Sequence, residues 1–299
     1  MDKRTLEMLK ELTEAHGVPG FESDVRAVIR KHVAGLATIE HDRLGSIVCR
    51  KQGAKPSPRV IIPGHMDEIG FMVKVITSEG YIRFAQLGGW FDQVVLSQRV
   101  IVKGSKGDVP GLIGSKPPHL LSPDERKKVV EKKDMFIDIG ATTKDQVEKE
   151  YGVRVGDPIV PVSPFGHLKN QKLLVAKAWD DRVGCGLFID VIRRLQRERH
   201  PNTVYGVGTV QEEVGTRGAQ TAAEVVKPDV CLVVESGIAG DTPGIKPEEA
   251  QGKLGGGPIL YVLDAGMIGH RKLRDLVIQV AEKKKIPFQL SALEGGATD

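Results

Sequence analysis

The sequence predicts an α/β protein with a mixed sheet, flanking helices and a small β-barrel-like insertion. Three observations carry that expectation. Helical and strand patterns alternate over the first seventy residues. From Gly70 closely spaced β-branched runs follow one another with no long helix between them. Near Pro164 the helix–strand alternation resumes. The chain of 299 residues is long enough for one large or two smaller cores. The expected organisation is a discontinuous α/β domain over 1–69 and 165–299, with a β domain inserted at 70–164.

The elements are read in chain order. "MDKRTLEMLKELTEAHG" is an amphipathic helix with Leu6, Leu9 and Leu12 on one side. Ser23 is a candidate cap for a second helix, "DVRAVIRKHVAGL", whose inner face carries Val25, Val28, Ile29 and Val33. "GSIVCRK" and "RVIIPGHMD" are short strands bounded by turn residues. "FMVKVI", "YIRFAQ", "QVVLSQRVIVKG" and "DVPGLIG" build the insertion. "SKPPHLLSPDERKKVVEKKD" is a charged loop with a short helix near Ser122, and "MFIDIGA" returns to strand. Thr143 and Gln146 have capping-box spacing before "KDQVEKEYG". "KLLVAKAW" is expected as a strand leading to a helix with Val183, Leu187, Phe188, Val191, Ile192 and Leu195 on its stripe. Strand "TVYGVGTV", helix "GAQTAAEVV", strand "DVCLVVE", helix "RKLRDLVIQVAEKKK" and strand "PFQLSA" complete the order.

Composition narrows the function. A net charge of +4, with basic residues scattered along the chain, argues against a nucleic-acid partner. Cys49, Cys185 and Cys231 lie in apolar runs without metal-ligand spacing and read as reduced core residues of a cytoplasmic protein. No stretch approaches the ~20 apolar residues of a membrane span. "GVGTVQ" lacks the third glycine of a dinucleotide fingerprint, and no G-x-S-x-G elbow occurs.

The chemistry gathers where expected strands end. Four such ends carry His65 and Asp67, Asp180 and Asp181, Glu212 and Glu213, and Glu235. Each motif has an ordinary reading by itself: an acidic pair as helix N-cap, Glu212–Glu213 as a solvated turn, His65 as a loop histidine. Recurrence at one structural position argues otherwise, because ligand sites of open α/β sheets lie beyond the strands' carboxyl ends. Carboxylates crowded there repel one another unless a cation holds them.

These motifs resemble the metalloaminopeptidases that include the tetrahedral (TET), deblocking and glutamyl aminopeptidases, some of whose relatives are labelled cellulases or endoglucanases. "GHMDEIGFMV", "GLIGSKPPHLLSPDERKK", "AWDDRVGCG", "TVQEEVGTRGA", "AGDTPG" and "EGGATD" stand in the order found in that family. The resemblance implies a zinc-peptidase-like fold and two divalent ions, zinc or cobalt, per intact site. It implies His65, Asp180, Glu213 and Glu235 as ligands, with Asp180 bridging. Asp67 would orient His65, and Glu212 would serve as general base. Glu235 stands where the family often has Asp. The family's last ligand is a histidine beyond the position of Asp299, so one of the two ions is expected to bind weakly to this chain. Expected partners are short peptides as substrates and further copies of the chain, dimers assembling to a dodecamer through the insertion. Glycoside hydrolysis of the endoglucanase type and a non-catalytic assembly role are the alternatives.

Overall fold

The computed structural model describes residues 1–299, which divide into two compact units, Met1–Val234 and Glu235–Asp299. The first unit opens with helices α1 (Lys3–Glu14) and α2 (Ser23–Val33). Asp2 caps α1 by accepting the Thr5 N–H at 2.8 Å. Ser23 does not cap α2. Glu22 occupies the cap position, and its carboxylate accepts the N–H groups of Gly20 (2.7 Å) and Gln211 (3.2 Å).

Strands β1 (Thr38–His41), β2 (Ile47–Lys51) and β3 (Arg59–His65) come next. Six strands then close a barrel: β4 (Gly70–Ile76), β5 (Ile82–Leu87), β6 (Arg99–Gly104), β7 (Gly107–Gly114), β8 (Phe136–Asp138) and β9 (Pro158–Pro161). Their order around the barrel is β4-β5-β8-β7-β6-β9, and β9 pairs back with β4. Alternate residues such as Phe71, Val73, Val100, Val102, Ile137 and Ile159 fill its interior. The charged loop contains short 3₁₀ turns at Pro118–Leu120, Glu125–Lys127 and Lys132–Asp134, the middle one bracketed by reciprocal bonds between Ser122 and Glu125.

A two-stranded pair, β10 (Gly166–His167) with β11 (Leu174–Val175), precedes α3 (Trp179–Leu195). "KLLVAKAW" therefore forms no strand of the main sheet. Asp180 enters from the irregular start of a helix, where both Asp180 and Asp181 have non-helical backbone. Along α3, Cys185, Phe188, Ile189 and Ile192 are buried, whereas Leu187 points outward at 47% exposure.

Strand β12 (Thr203–Thr209), helix α4 (Arg217–Val226) and strand β13 (Val230–Cys231) complete the unit. The main sheet runs β1-β2-β12-β3-β13, with β12 and β13 parallel to β3 and β2 antiparallel to β12. Alternation along the strands builds two apolar layers. Ile47, Cys49, Ile62 and Val204 face the helices α1 to α3, while Val48, Ile61 and Val207 face Ala222 and Val226 of α4. Cys231 is exposed, because it lies on the edge strand.

In the second unit, β14 (Ile259–Leu263) and β15 (Gln289–Ala292) pair in parallel, joined through α5 (Arg271–Lys283), whose first turn is capped by the His270 side chain. No helix is long and apolar enough to cross a membrane.

Candidate metal centre

Parallel pairing of β3 with β12 places His65 opposite Thr209, so the carboxyl ends of the two strands lie side by side. The Met66 N–H extends the ladder by one bond, to the Thr209 carbonyl at 2.8 Å. Both chains then turn, and their polar residues converge. The fully buried Asp67 carboxylate accepts the Glu212 N–H at 3.0 Å and the Glu213 N–H at 3.1 Å. One side chain thereby fixes the backbone beneath both glutamates. Gln211, just before them, adopts a left-handed φ of 57°, a conformation that the bond from its N–H to Glu22 helps to hold.

The His65 imidazole is almost wholly enclosed. Its Nδ1 lies 3.0 Å from the Asp67 backbone carbonyl and 3.6 Å from the Asp67 carboxylate. A carbonyl can only accept, so Nδ1 carries a proton and Nε2 is the nitrogen left to bind an ion. Nε2 faces Asp180 Oδ1 at 2.8 Å and Glu212 Oε2 at 3.7 Å. Burial alone would lower the His65 pKa, but the hydrogen bonds and charges of Asp180 and Asp67 raise it well above the ordinary histidine value. A positive charge is thus demanded between Nε2 and the carboxylates. A proton meets that demand, and so does a metal ion.

Asp180 and Asp181 are joined by a cis peptide bond. The Asp180 side chain projects into the site, while the buried Asp181 turns back into the fold. Its Oδ2 accepts the His65 N–H at 3.1 Å and its Oδ1 accepts the Gly184 N–H at 2.9 Å. Asp181 therefore acts as the cap of the regular part of α3 and a brace for β3. The approach requires glycine on β3: a Cβ on Gly64 would stand 2.7 Å from the Gly184 carbonyl carbon and 2.8 Å from Asp181 Oδ2.

Glu213 shows the cost of crowding acids. Burial first, then the charges of Asp180, Asp67 and Glu212, push its carboxyl up to about 8, against the opposing effect of His65. Its Oε2 lies against the loop that follows β5, since a Cβ on Gly88 would come within 3.1 Å of it. Glu235 is the residue after Val234, whose N–H donates to the Pro63 carbonyl of β3 at 3.2 Å. The Glu235 carboxylate accepts the Ser236 N–H at 2.7 Å and the Thr298 hydroxyl at 2.9 Å. The structure thus brings His65, Asp67, Asp180, Glu212 and Glu213 together. A buried imidazole with an outward nitrogen, set amid several carboxylates, is a donor set that fits a divalent cation.

Sequence reasoning passed over four charged residues. Glu22 supports Gln211. Glu68, Lys177 and Arg182 form a buried ionic cluster directly behind the site: Glu68 Oε1 is 2.5 Å from Lys177 Nζ and 3.4 Å from Arg182 Nη2. Burial pushes the Glu68 carboxyl up and the Lys177 ammonium down, and each is the other's partial remedy. Their one signal in the sequence is adjacency, since Glu68 follows Asp67 and Arg182 follows Asp181.

Comparison with known proteins fits this architecture. The sequence model described as M42 glutamyl aminopeptidase matches residues 45–299, and one described as AMPT matches residues 3–29. The TET aminopeptidase of Thaumarchaeota archaeon SCGC AB-539-E09 is 52% identical and superposes with a TM-score of 0.96, over 99% of this chain and 83% of that one. The Pyrococcus horikoshii TET1 peptidase, whose structure is described as assembling into a tetrahedron or a large octahedral shell, is 34% identical with a TM-score of 0.88, over 99% and 86% of the two chains. The glutamyl aminopeptidase of Lactococcus lactis is 33% identical over 96% of this chain and 81% of its own. These matches favour neither the glycoside-hydrolase nor the non-catalytic alternative. The chain belongs to the M42 glutamyl aminopeptidase family and is an aminopeptidase, a hydrolase of peptide bonds.

Proposed function

We propose that the chain removes N-terminal residues from short peptides with two divalent ions, zinc or cobalt, per intact site. In this reading His65, Asp180, Glu213 and Glu235 would hold the ions. The observation that carries it is the 2.8 Å approach of His65 Nε2 to Asp180 Oδ1 in a pocket of further carboxylates. When bound, such ions supply Lewis acidity, lowering the pKa of a water and polarising the scissile carbonyl.

The remaining work falls to the chain's own residues. Asp67 holds the His65 ring through its carbonyl and carboxylate, and it holds the two glutamates through their N–H groups. Glu212 accepts the proton of the attacking water and delivers it to the leaving amine. Its carboxylate is only 11% exposed, which keeps that proton from exchanging freely with bulk water. The substrate's free amine, a cation, is attracted by the same excess of carboxylates, which confines cleavage to chain ends.

Glu212→Gln in the metal-loaded enzyme is expected to retain zinc while turnover of an aminoacyl anilide falls ~10²–10⁴-fold. A variant that keeps most of its rate would remove Glu212 from the proton-transfer role. Stripping with EDTA should abolish wild-type activity, and re-addition of zinc or cobalt should restore it. Activity indifferent to EDTA would overturn the metal assignment. We further propose a cytoplasmic enzyme, from the two buried cysteines Cys49 and Cys185. Recovery in a membrane or secreted fraction would refute that.

A further inference from the structure

We infer that the buried cluster Glu68–Lys177–Arg182 is a positioning device that sets the distance between the two acid-bearing loops of the site. The inference rests on the metal-centre reading above. Each member stands next to a loop that carries site residues. Glu68 follows Asp67, which grips Glu212 and Glu213. Arg182 follows Asp180–Asp181, and Lys177 lies three residues before Asp180. Glu68 Oε1 bonds to both cations, so a single carboxylate oxygen ties the His65–Asp67 loop to both flanks of Asp180.

The third anchor is the end of α1. Arg182 Nη1 donates to the carbonyls of Leu12 (2.6 Å) and Ala15 (3.1 Å), and Nη2 donates to Gly17 (3.2 Å). Lys177 Nζ donates to the Ala15 carbonyl at 3.1 Å, and the Glu68 N–H donates to the Gly17 carbonyl at 2.9 Å. A helix C-terminus offers unpaired carbonyls and partial negative charge, which suits two cations. Arg182 is fully buried and Glu68 is 2% exposed.

Stability alone is a poor reason for three buried charges. Desolvation cancels most of the attraction, and apolar residues of similar volume commonly do as well. What apolar packing cannot supply is a fixed distance. Carboxylate and guanidinium bonds have directions, and here they span the gap whose far side is the contact of His65 Nε2 with Asp180 Oδ1. A shift of some tenths of an ångström at Glu68 would reach the ligand atoms through one or two covalent residues.

The test uses Glu68→Gln, which keeps shape and removes charge, with zinc ion as the probe in isothermal titration. Zinc affinity is expected to fall ~10–100-fold, the usual effect of losing support behind a ligand. For an aminoacyl anilide, kcat should fall while KM stays within about threefold. Because the single change leaves two buried cations uncompensated, the double variant Glu68→Gln/Lys177→Met, with the wild-type net charge, is measured beside it. The double variant should regain thermal stability yet keep the deficits in zinc affinity and kcat. Wild-type zinc affinity and kcat in the stable double variant would reduce the cluster to packing and overturn the proposal. A wild-type chain that takes up no zinc, cobalt or manganese would instead refute the metal-centre reading itself, a result told apart by its appearing before any substitution is made.

Discussion

At the scale of single residues the site depends on close backbone approaches as much as on its acids. Gly64 lies where α3 meets β3, and any side chain there would press on Gly184 and Asp181. Gly64→Ala should therefore cost about 1–3 kcal/mol, as overpacking generally does, and should weaken zinc binding by displacing Asp181 from the His65 N–H. Urea denaturation with an unchanged midpoint would contradict this. Much of the convergence was legible: His65, Asp67, Glu212 and Glu213 meet beyond strand ends as expected, whereas Asp180 reaches them from the start of a helix rather than from a strand. Less legible was how Asp67 divides its work. Its carbonyl meets the imidazole Nδ1, while its carboxylate serves two N–H groups from a turn more than 140 residues away in sequence. A carbonyl's direction depends on the path of the folded chain, and no side-chain pattern encodes it. The Glu68–Lys177–Arg182 cluster was hidden for a related reason. In a sequence, buried charges look like solvated ones until their partners are known.

At the scale of elements, periodicity identified α1, α2, α4, α5 and the long sheet strands, because each buries one clear face. It failed where an element is short or paired locally. "KLLVAKAW" has the composition of a core strand but pairs only through Leu174 and Val175, and "DVCLVVE" sits on an edge that exposes Cys231. The junction of α1 with the barrel carries a testable titration. His16, just beyond α1, lies 3.3 Å from Lys103 of β6 and 3.8 Å from Asp108 of β7. Burial, then the charges of Lys103 and Lys177, lower its pKa below 6.5, against the opposing charges of Asp108 and Asp24. In the window below 6.5 the unfolded chain therefore holds a proton that the folded chain does not, and stability must rise with pH there and level off above it. Melting temperatures measured from pH 5 to 7.5 should show wild type losing ground to His16→Gln as the pH falls. Parallel curves would show that His16 is not responsible.

At the scale of the whole molecule, the alternation of patterns revealed an α/β protein carrying a barrel, and the contrast between long helices and none made the insertion visible. Subunit contacts are not written in such patterns, since an exposed apolar residue looks the same whether or not a neighbour covers it. The barrel strands and the segments flanking them expose Val75, Leu112, Val155 and Val162, and we propose the barrel's outer side, at Leu112 of β7, as a contact between copies of the chain. Sedimentation velocity at micromolar concentration should give a species well above the 32.5 kDa of one chain. Leu112→Lys should shift it to smaller species with the fold intact, and a monomeric wild type would refute the contact. The barrel's closure, with β9 returning to β4, leaves no strand edge for another polypeptide to extend. Recognition between copies must then be spelled in side chains alone. Mutation can redraw the architecture of a particle built on this surface while the peptide-cleaving chemistry, held by a different sheet, stays as it was.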